Sequence, residues 1–187
     1  MKYKALIISI KGTKLSKKEE VLLSKEKPWG IILFKRNLRS LKQIRNLTSN
    51  IRAITKNKNF PIMIDEEGTN VSRLTNIFYH NISAKFFGDL FNKDKNFCLN
   101  IYSQYINSLS KILRNLGFNI NTIPVLDVLR GNTNKIIGNR SFSNNRETVR
   151  ELGRLTIKYL HQNKISGVIK HIPDHGASVS DSHKKMP

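Results

Sequence analysis

The chain has 187 residues, of which 39% are hydrophobic and 25% are charged, and its formal net charge is +20 at pH 7. These values suit one globular domain with its own hydrophobic core. No stretch approaches the ~20 consecutive apolar residues that a membrane span requires. We therefore expect a protein with no membrane partner.

The positive charge has two interpretations. Phosphate contacts need Lys and Arg, so a basic chain can bind nucleic acid. However, Lys, Asn and Ile, which AT-rich codons favour, occur 22, 21 and 23 times. The basic residues are not interleaved with aromatic residues and form no known nucleic-acid motif. We therefore predict no specific nucleic-acid partner, while a basic nucleic-acid-binding protein stays an alternative.

A single cysteine and a short apolar N-terminal run indicate the compartment. Cys98 cannot form an internal disulfide, and it lies on an expected helix, so we interpret it as a buried apolar side chain in a reducing compartment. The apolar run 5–10 has six residues and is shorter than the core of a signal peptide. The expected location is the cytoplasm.

Strands and helices alternate along the chain. Short β-branched runs predict strands, and apolar residues at helical spacing predict amphipathic helices. Ser16 with Glu19 three residues later resembles a helix capping box. In chain order the predicted elements are strand 4–10, helix 16–27, strand 29–35, helix 40–56, strand 60–66, helix 95–117, strand 118–128, helix 145–164 and strand 166–172.

This alternation predicts a parallel α/β fold, either an open doubly wound sheet or a (β/α)₈ TIM-type barrel. A doubly wound nucleotide fold favours a glycine-rich turn after its first strand, and "IKGTKLS" has one glycine. Barrels build their sites at the carboxyl ends of the strands. Polar residues follow four consecutive strands here, which favours an incomplete barrel of about five β/α units. In chain order these strand-end residues are Lys35, Arg36 and Asn37, then Asp65, Glu66 and Glu67, then Asp127, and finally Lys170 and His171.

Four blocks of sequence together resemble one family. They are "GIILFKRN" (30–37), "MIDEEGTNVSRL" (63–74), "PVLDV…IIGNRSF" (124–142) and "KHIPDHGASVSDSH" (170–183). They are similar to the bacterial β-N-acetylhexosaminidases of glycoside hydrolase family three, the NagZ type. The resemblance covers nearly the whole chain and identifies residues 1–187 as a single N-terminal barrel domain that stops before the last strands.

The resemblance implies a retaining glycosidase that removes terminal β-linked N-acetylglucosamine from muropeptides or chito-oligosaccharides during peptidoglycan recycling. It implies no cofactor, and we expect a monomer. The acid/base dyad corresponds to His183 and Asp181, and the family's nucleophile is expected beyond Pro187, so none is assigned in this chain. The sugar-contacting positions correspond to Asp65, Arg73, Arg140, Lys170 and His171.

Elementary chemistry agrees with these roles. A carboxylate such as Asp65 can accept hydrogen bonds from adjacent sugar hydroxyls, while Arg and Lys supply only donors. A histidine with a pKa near 6.5 can protonate a leaving oxygen at neutral pH, and Asp181 two residues away could orient His183. Hydrolysis with retention also requires a nucleophile. A chain without one would be inactive, and a non-catalytic sugar-binding half-barrel or a degenerate fragment is the alternative.

Several residues have a second interpretation. The histidines and aspartates of the last block could suggest a metal, but they lack a zinc-site spacing, and we predict no metal. For Asp127 we expect a structural role. Lys170 and His171 are adjacent, so they should face opposite sides of a strand unless it bulges. Thr69, Asn70 and Asp174 depart from the family pattern, and at 174 the family's glycine suggests a positive φ that aspartate tolerates less well.

Overall fold

The computed structural model describes residues 3–181, which form one five-stranded parallel sheet and five α-helices among them. The strands are β1 Lys4–Ile8, β2 Pro28–Leu33, β3 Ile62–Ile64, β4 Ile120–Asn121 and β5 Ser166–Gly167. The helices are α1 Lys17–Glu26, α2 Leu41–Thr55, α3 Ala84–Lys93, α4 Lys95–Asn115 and α5 Arg146–Gln162.

The strand order decides between the two candidate architectures. It is β1-β2-β3-β4-β5, and every neighbouring pair is parallel. Because crossovers between parallel strands are right-handed, a strictly sequential order places every connecting helix on the same face of the sheet. A doubly wound sheet reverses its order midway and carries helices on both faces. The predicted α/β fold of an incomplete TIM-type barrel is therefore confirmed.

The hydrophobic core lies between the sheet and its helices. Fully buried strand residues such as Ile31, Leu33 and Ile64 pack with residues of α2 and α4. Towards one edge of the sheet, Leu6 and Ile7 of β1 and Trp29 of β2 remain 45–55% exposed although they lie in strands. Parallel sheets are normally covered on both faces. Within residues 3–181, these apolar residues of β1 and β2 are therefore only partly covered.

Local sequence signals account for the helix starts. Ser16 caps α1: its Oγ accepts from the backbone N–H of Glu19 at 3.3 Å, and Glu19 Oε2 accepts from the N–H of Ser16 at 2.7 Å. This is the predicted capping box. The apolar residues of α2 lie at positions 41, 44, 47, 51 and 54, and of these Ile44, Leu47 and Ile51 are buried, whereas Leu41 at the first turn is 47% exposed.

The structure differs from the prediction most in one helix and in the two last strands. The helix α3 was not predicted, although Ser83 caps it and Phe87 lies at its buried face. Gly88 weakens the helical pattern there, and it is needed because a Cβ at this position would lie 1.7 Å from Phe142 O. The strands predicted at 118–128 and 166–172 are only two residues long. After β4 and β5 the chain turns into the loops that form the site.

The long helix α4 carries the cysteine. Cys98 is fully buried, as predicted, and its thiol contacts the carbonyl oxygen of Phe87 at 3.3 Å. Burial raises the pKa of this thiol to about 11, so it is protonated at neutral pH. In the described part of the chain, no helix combines the length and the apolarity that crossing a membrane would require.

Candidate active site

An open cavity of about 410 Å³ lies at the carboxyl ends of β3 and β5, where a barrel carries its site. This volume is in the range of small-molecule sites. All five residues that the resemblance assigned to sugar contact line it, together with one carboxylate that the assignment did not include, Glu67. The five are Asp65, Arg73, Arg140, Lys170 and His171.

Asp65 directly follows β3 and accepts two hydrogen bonds. Arg73 NH2 donates to Oδ2 at 2.9 Å, and Thr122 Oγ1 donates to Oδ1 at 2.6 Å. Lys170 Nζ lies 3.9 Å from Oδ1. Burial alone would raise the pKa of Asp65, but these donors and the two cations outweigh it and hold the pKa below its usual value. Asp65 is therefore an ionised acceptor at the cavity wall.

Glu67 joins two of the predicted residues. Arg140 donates to both of its carboxylate oxygens, at 2.8 and 3.0 Å, and Lys170 Nζ forms an ion pair with Oε1. Burial lowers the pKa of Arg140, but its bonds to Glu67 raise it overall. The sequence does show that Glu67 is the third acid after β3 and therefore a candidate site residue. It does not show that Glu67 pairs with Arg140, because 73 positions separate the two residues.

Asp127 holds the ring of His171. It is fully buried, its Oδ2 lies 2.6 Å from His171 Nδ1, and its Oδ1 accepts from the backbone N–H of His175 at 2.7 Å. Burial would raise the pKa of Asp127, but the bond to His171 and the charge of that ring lower it. An ionised Asp127 accepts, so Nδ1 of His171 carries a proton. The expected structural role of Asp127 is thus to orient a site residue.

Lys170 and His171 do not face opposite sides. Both line the cavity, although strict strand alternation would have separated them. Regular pairing of β5 ends at Gly167, and Lys170 forms only an isolated bridge with Val125, so the alternation rule does not apply. The peptide bond between the two residues is cis.

The charges in and next to the cavity nearly balance. Three cations (Arg73, Arg140 and Lys170) and two carboxylates (Asp65 and Glu67) line the cavity. A third carboxylate, Asp127, is buried, does not line the cavity and pairs with His171. We call the three cations and the three carboxylates the charged cluster. Each carboxylate has at least one cation or imidazole partner within the site. A site with balanced charge and many hydrogen-bonding groups suits a neutral polar ligand better than a phosphate or a polyanion.

The departures from the family pattern fit the local backbone. Asp174 has φ −58°, so the expectation of a positive φ there is wrong for this chain. Its Oδ1 accepts from the N–H of Gly176 at 2.8 Å, and Arg130 NH2 lies 3.4 Å from Oδ2. Thr69 does not have a positive φ, whereas Gly68 has φ +141°. Asn70 donates to Asn139 Oδ1 at 2.6 Å and lines the cavity.

The proposed acid/base pair lies at the edge of the described structure. Asp181 is the last described residue and is partly buried. His183 lies outside the described residues, so the assignment of the dyad stays a prediction. Among residues 3–181, no group of three or more His, Cys, Asp or Glu side chains is arranged to hold a metal ion.

Comparison with known proteins identifies a family. A family model described as "Glycosyl hydrolase family 3 N terminal domain" matches residues 2–187. A β-hexosaminidase of Xanthomonas campestris pv. campestris (strain B100) is 31% identical over 178 residues, which are 95% of this chain and 53% of that protein. The chain thus spans about half the length of this relative.

Solved structures agree. NagZ from Neisseria gonorrhoeae, in complex with N-trifluoroacetyl-D-glucosamine, is 29% identical with a TM-score of 0.89, over 99% of this chain and 54% of that one. A glycoside hydrolase family 3 β-N-acetylglucosaminidase from Paenibacillus sp. str. FPU-7 is 28% identical with a TM-score of 0.82, over 96% of this chain and 34% of that one. Both share the fold of this chain. With its fold and its sequence in agreement, the chain belongs to glycosyl hydrolase family 3 and matches the N-terminal domain of that family.

Proposed function

We propose that this chain forms the sugar-binding side of a retaining β-N-acetylhexosaminidase site that acts on terminal β-linked N-acetylglucosamine. The observation that carries the proposal is the convergence of five residues from three separate segments on one cavity. The complex of the Neisseria protein with N-trifluoroacetyl-D-glucosamine, an N-acylated glucosamine, supports this ligand class.

The geometry supports binding of a neutral sugar. Asp65 is an ionised acceptor that can receive hydrogen bonds from adjacent hydroxyls, and burial makes these bonds stronger than at the surface. Arg73, Arg140 and Lys170 offer N–H donors to hydroxyl and acetyl oxygens. His171, with its Nδ1 proton directed to Asp127, has Nε2 left for a sugar hydroxyl, as an acceptor in the neutral ring and as a donor in the charged ring.

The bond-breaking step needs an acid/base and a nucleophile. We assign the acid/base to His183 with Asp181 as its orienting partner. Within the described residues, the three carboxylates of the charged cluster are each paired with cations or N–H donors, and the resemblance assigns the nucleophile to none of them. We therefore propose that the nucleophile comes from further β/α units that cover the exposed apolar residues of β1 and β2, and that residues 1–187 alone bind the sugar without turnover.

The finer details of the proposal follow from the resemblance. We propose muropeptides or chito-oligosaccharides as substrates, peptidoglycan recycling as the process, and the cytoplasm as the location. One cysteine, buried and without a disulfide, suits a reducing compartment. We also propose that the protein is a monomer.

The test is calorimetric titration of the 187-residue protein with N-acetylglucosamine. We expect binding that Asp65→Asn weakens by about tenfold or more, since the change removes a charged acceptor. Asp89→Asn is the matched control, because Asp89 is an exposed carboxylate on α3 whose ion pair with Lys85 is on the surface. Absence of binding, or equal loss in both variants, would refute the sugar site.

Turnover is tested separately with an N-acetylglucosaminide that carries a chromogenic leaving group. A non-catalytic sugar-binding module and the proposed half-site both predict binding without turnover by residues 1–187. They differ when the chain is joined to the remaining β/α units of a family member. The half-site then predicts hydrolysis that His183→Ala abolishes, whereas a binding module predicts none.

A further inference from the structure

A buried glutamate lies directly behind the cavity without lining it. Glu66 follows Asp65 in the chain, its side chain is fully buried, and it makes no contact with the cavity space. We propose that Glu66 is a positioning residue that holds Arg73 in its sugar-binding orientation. This inference rests on the function proposed above.

Four donors satisfy the Glu66 carboxylate. Oε2 accepts from the backbone N–H groups of Arg73 at 2.8 Å and Leu74 at 3.1 Å. Oε1 accepts from Ser72 Oγ at 2.6 Å and lies 3.1 Å from His80 Nε2. A carboxylate has about four acceptor positions, so its capacity is filled from within the protein. A buried carboxylate is tolerated only with such partners, so these four contacts account for the burial of Glu66.

The glutamate is itself fixed to the sheet. The backbone N–H of Glu66 donates to Asn121 Oδ1 at 3.0 Å, and Asn121 Nδ2 donates to the carbonyl oxygen of Glu66 at 2.9 Å. Asn121 lies in β4 and is fully buried. Glu66 therefore connects the rigid sheet, through its backbone, to the 72–74 segment, through its side chain.

His80 connects the Glu66 carboxylate to the core. Its ring stacks on Phe78 with centroids 5.5 Å apart, and its Nδ1 lies 3.5 Å from the hydroxyl oxygen of Tyr105 on α4. Burial and the negative charge of Glu66 raise the pKa of Tyr105, so that hydroxyl stays protonated. The imidazole thus links the carboxylate to a helix of the core.

The consequence concerns Arg73. Residues 70–74 contain no helix or strand, so regular structure does not fix them. The two backbone bonds to Glu66 fix the position from which the Arg73 side chain reaches Asp65 at 2.9 Å. Without these two bonds the backbone of Arg73 would no longer be held in place, so the guanidinium would be less well positioned. Every side chain that lines the cavity would still be present.

The first test measures the backbone bonds without a ligand. In amide hydrogen exchange by NMR on the full chain, Glu66→Ala should lower the protection of the Arg73 and Leu74 amides by about tenfold or more. Glu66→Gln should decrease this protection less, because glutamine keeps one oxygen acceptor. That oxygen can replace only one of the two carboxylate oxygens, and its hydrogen bonds lack charge assistance. Unchanged protection at both amides in both variants would overturn the proposal.

The second test measures sugar affinity in a double-mutant cycle. Glu66→Gln should weaken N-acetylglucosamine binding, yet add nothing once Arg73→Ala is present, because both changes remove the same interaction. Additive effects would indicate general destabilisation and would overturn the positioning role. If Glu66→Ala does not fold, Glu66→Gln carries both tests. If the wild-type chain binds no sugar, the proposed function fails, and hydrogen exchange alone still decides whether Glu66 holds the segment.

Discussion

Replacement of Glu67 by glutamine tests whether the charged cluster is a coupled unit. The Glu67 side chain is 6% exposed, and its cationic partners Arg140 and Lys170 are 12% and 16% exposed. Glutamine keeps the shape and one oxygen acceptor but removes the charge. Two nearly buried cations would then lie next to each other with one carboxylate fewer between them.

The expected magnitude follows from this burial. Breaking a buried ion pair from one side costs about 3–5 kcal/mol, and the retained amide oxygen recovers about 1 kcal/mol as a neutral hydrogen bond. We therefore expect Glu67→Gln to lower the free energy of unfolding by roughly 2–4 kcal/mol. For a domain of this size, that corresponds to a decrease in Tm of roughly 4–16 °C.

The assay is urea denaturation followed by circular dichroism, with Glu147→Gln as the matched control. Glu147 is 59% exposed and pairs with Arg150 at 2.9 Å, so its loss should cost less than about 1 kcal/mol. Adding Lys170→Met to Glu67→Gln restores equal numbers of charges and should recover part of the stability. Equal effects of the two glutamine variants, or a further loss in the double variant, would refute the reasoning.

Three further predictions concern other parts of the chain. Asp127 has a lowered pKa in the folded protein, so its ionised form stabilises the fold at any pH above its unfolded-state pKa near 4. This stabilisation is lost as the pH falls through the folded-state pKa. The free energy of unfolding of the wild type should therefore decrease more than that of Asp127→Asn between pH 5 and pH 2. Gly88→Ala should destabilise by about 1–3 kcal/mol, because its Cβ would meet a backbone oxygen at 1.7 Å, whereas Gly131→Ala has nothing within 4 Å and should change the melting temperature little. Cys98 should react with a thiol reagent at pH 8 only after unfolding, and rapid reaction of the folded protein would contradict its burial.

The sequence predicted the parts of the fold that depend on local chemistry. Apolar spacing located α2, α4 and α5, and a capping box located the start of α1. It did not predict α3, because Gly88 lowers the helix propensity of this segment. A glycine is needed at position 88 because the helix passes close to the backbone of Phe142, which is distant in sequence. Strand lengths were overestimated for β4 and β5, because an apolar run does not show where neighbouring strands stop pairing.

The same limit applies to the site. Strand-end position and family resemblance identified five cavity-lining residues, since both signals depend on local sequence patterns. Glu66 and Glu67 stand beside Asp65 in "IDEEG", yet their partners come from segments as distant as Arg140. Adjacent acids with different roles cannot be told apart without the burial and the donors that surround each one. Glu66 faces inward to backbone amides, whereas Glu67 faces the cavity cations.

The charge balance of the cluster bears on the origin of the chain's strong positive charge. Lys and Arg outnumber Asp and Glu by 33 to 13, so six charged residues taken at random would carry a clear excess of cations. The cluster has equal numbers instead. Among residues 3–181, lysine meanwhile occupies three of the left-handed positions at helix ends, Lys27, Lys56 and Lys164, where glycine or asparagine would be less strained. This contrast is expected if AT-rich codons add lysines wherever solvent screens them, while a neutral sugar ligand requires that the buried charges at the cavity stay paired.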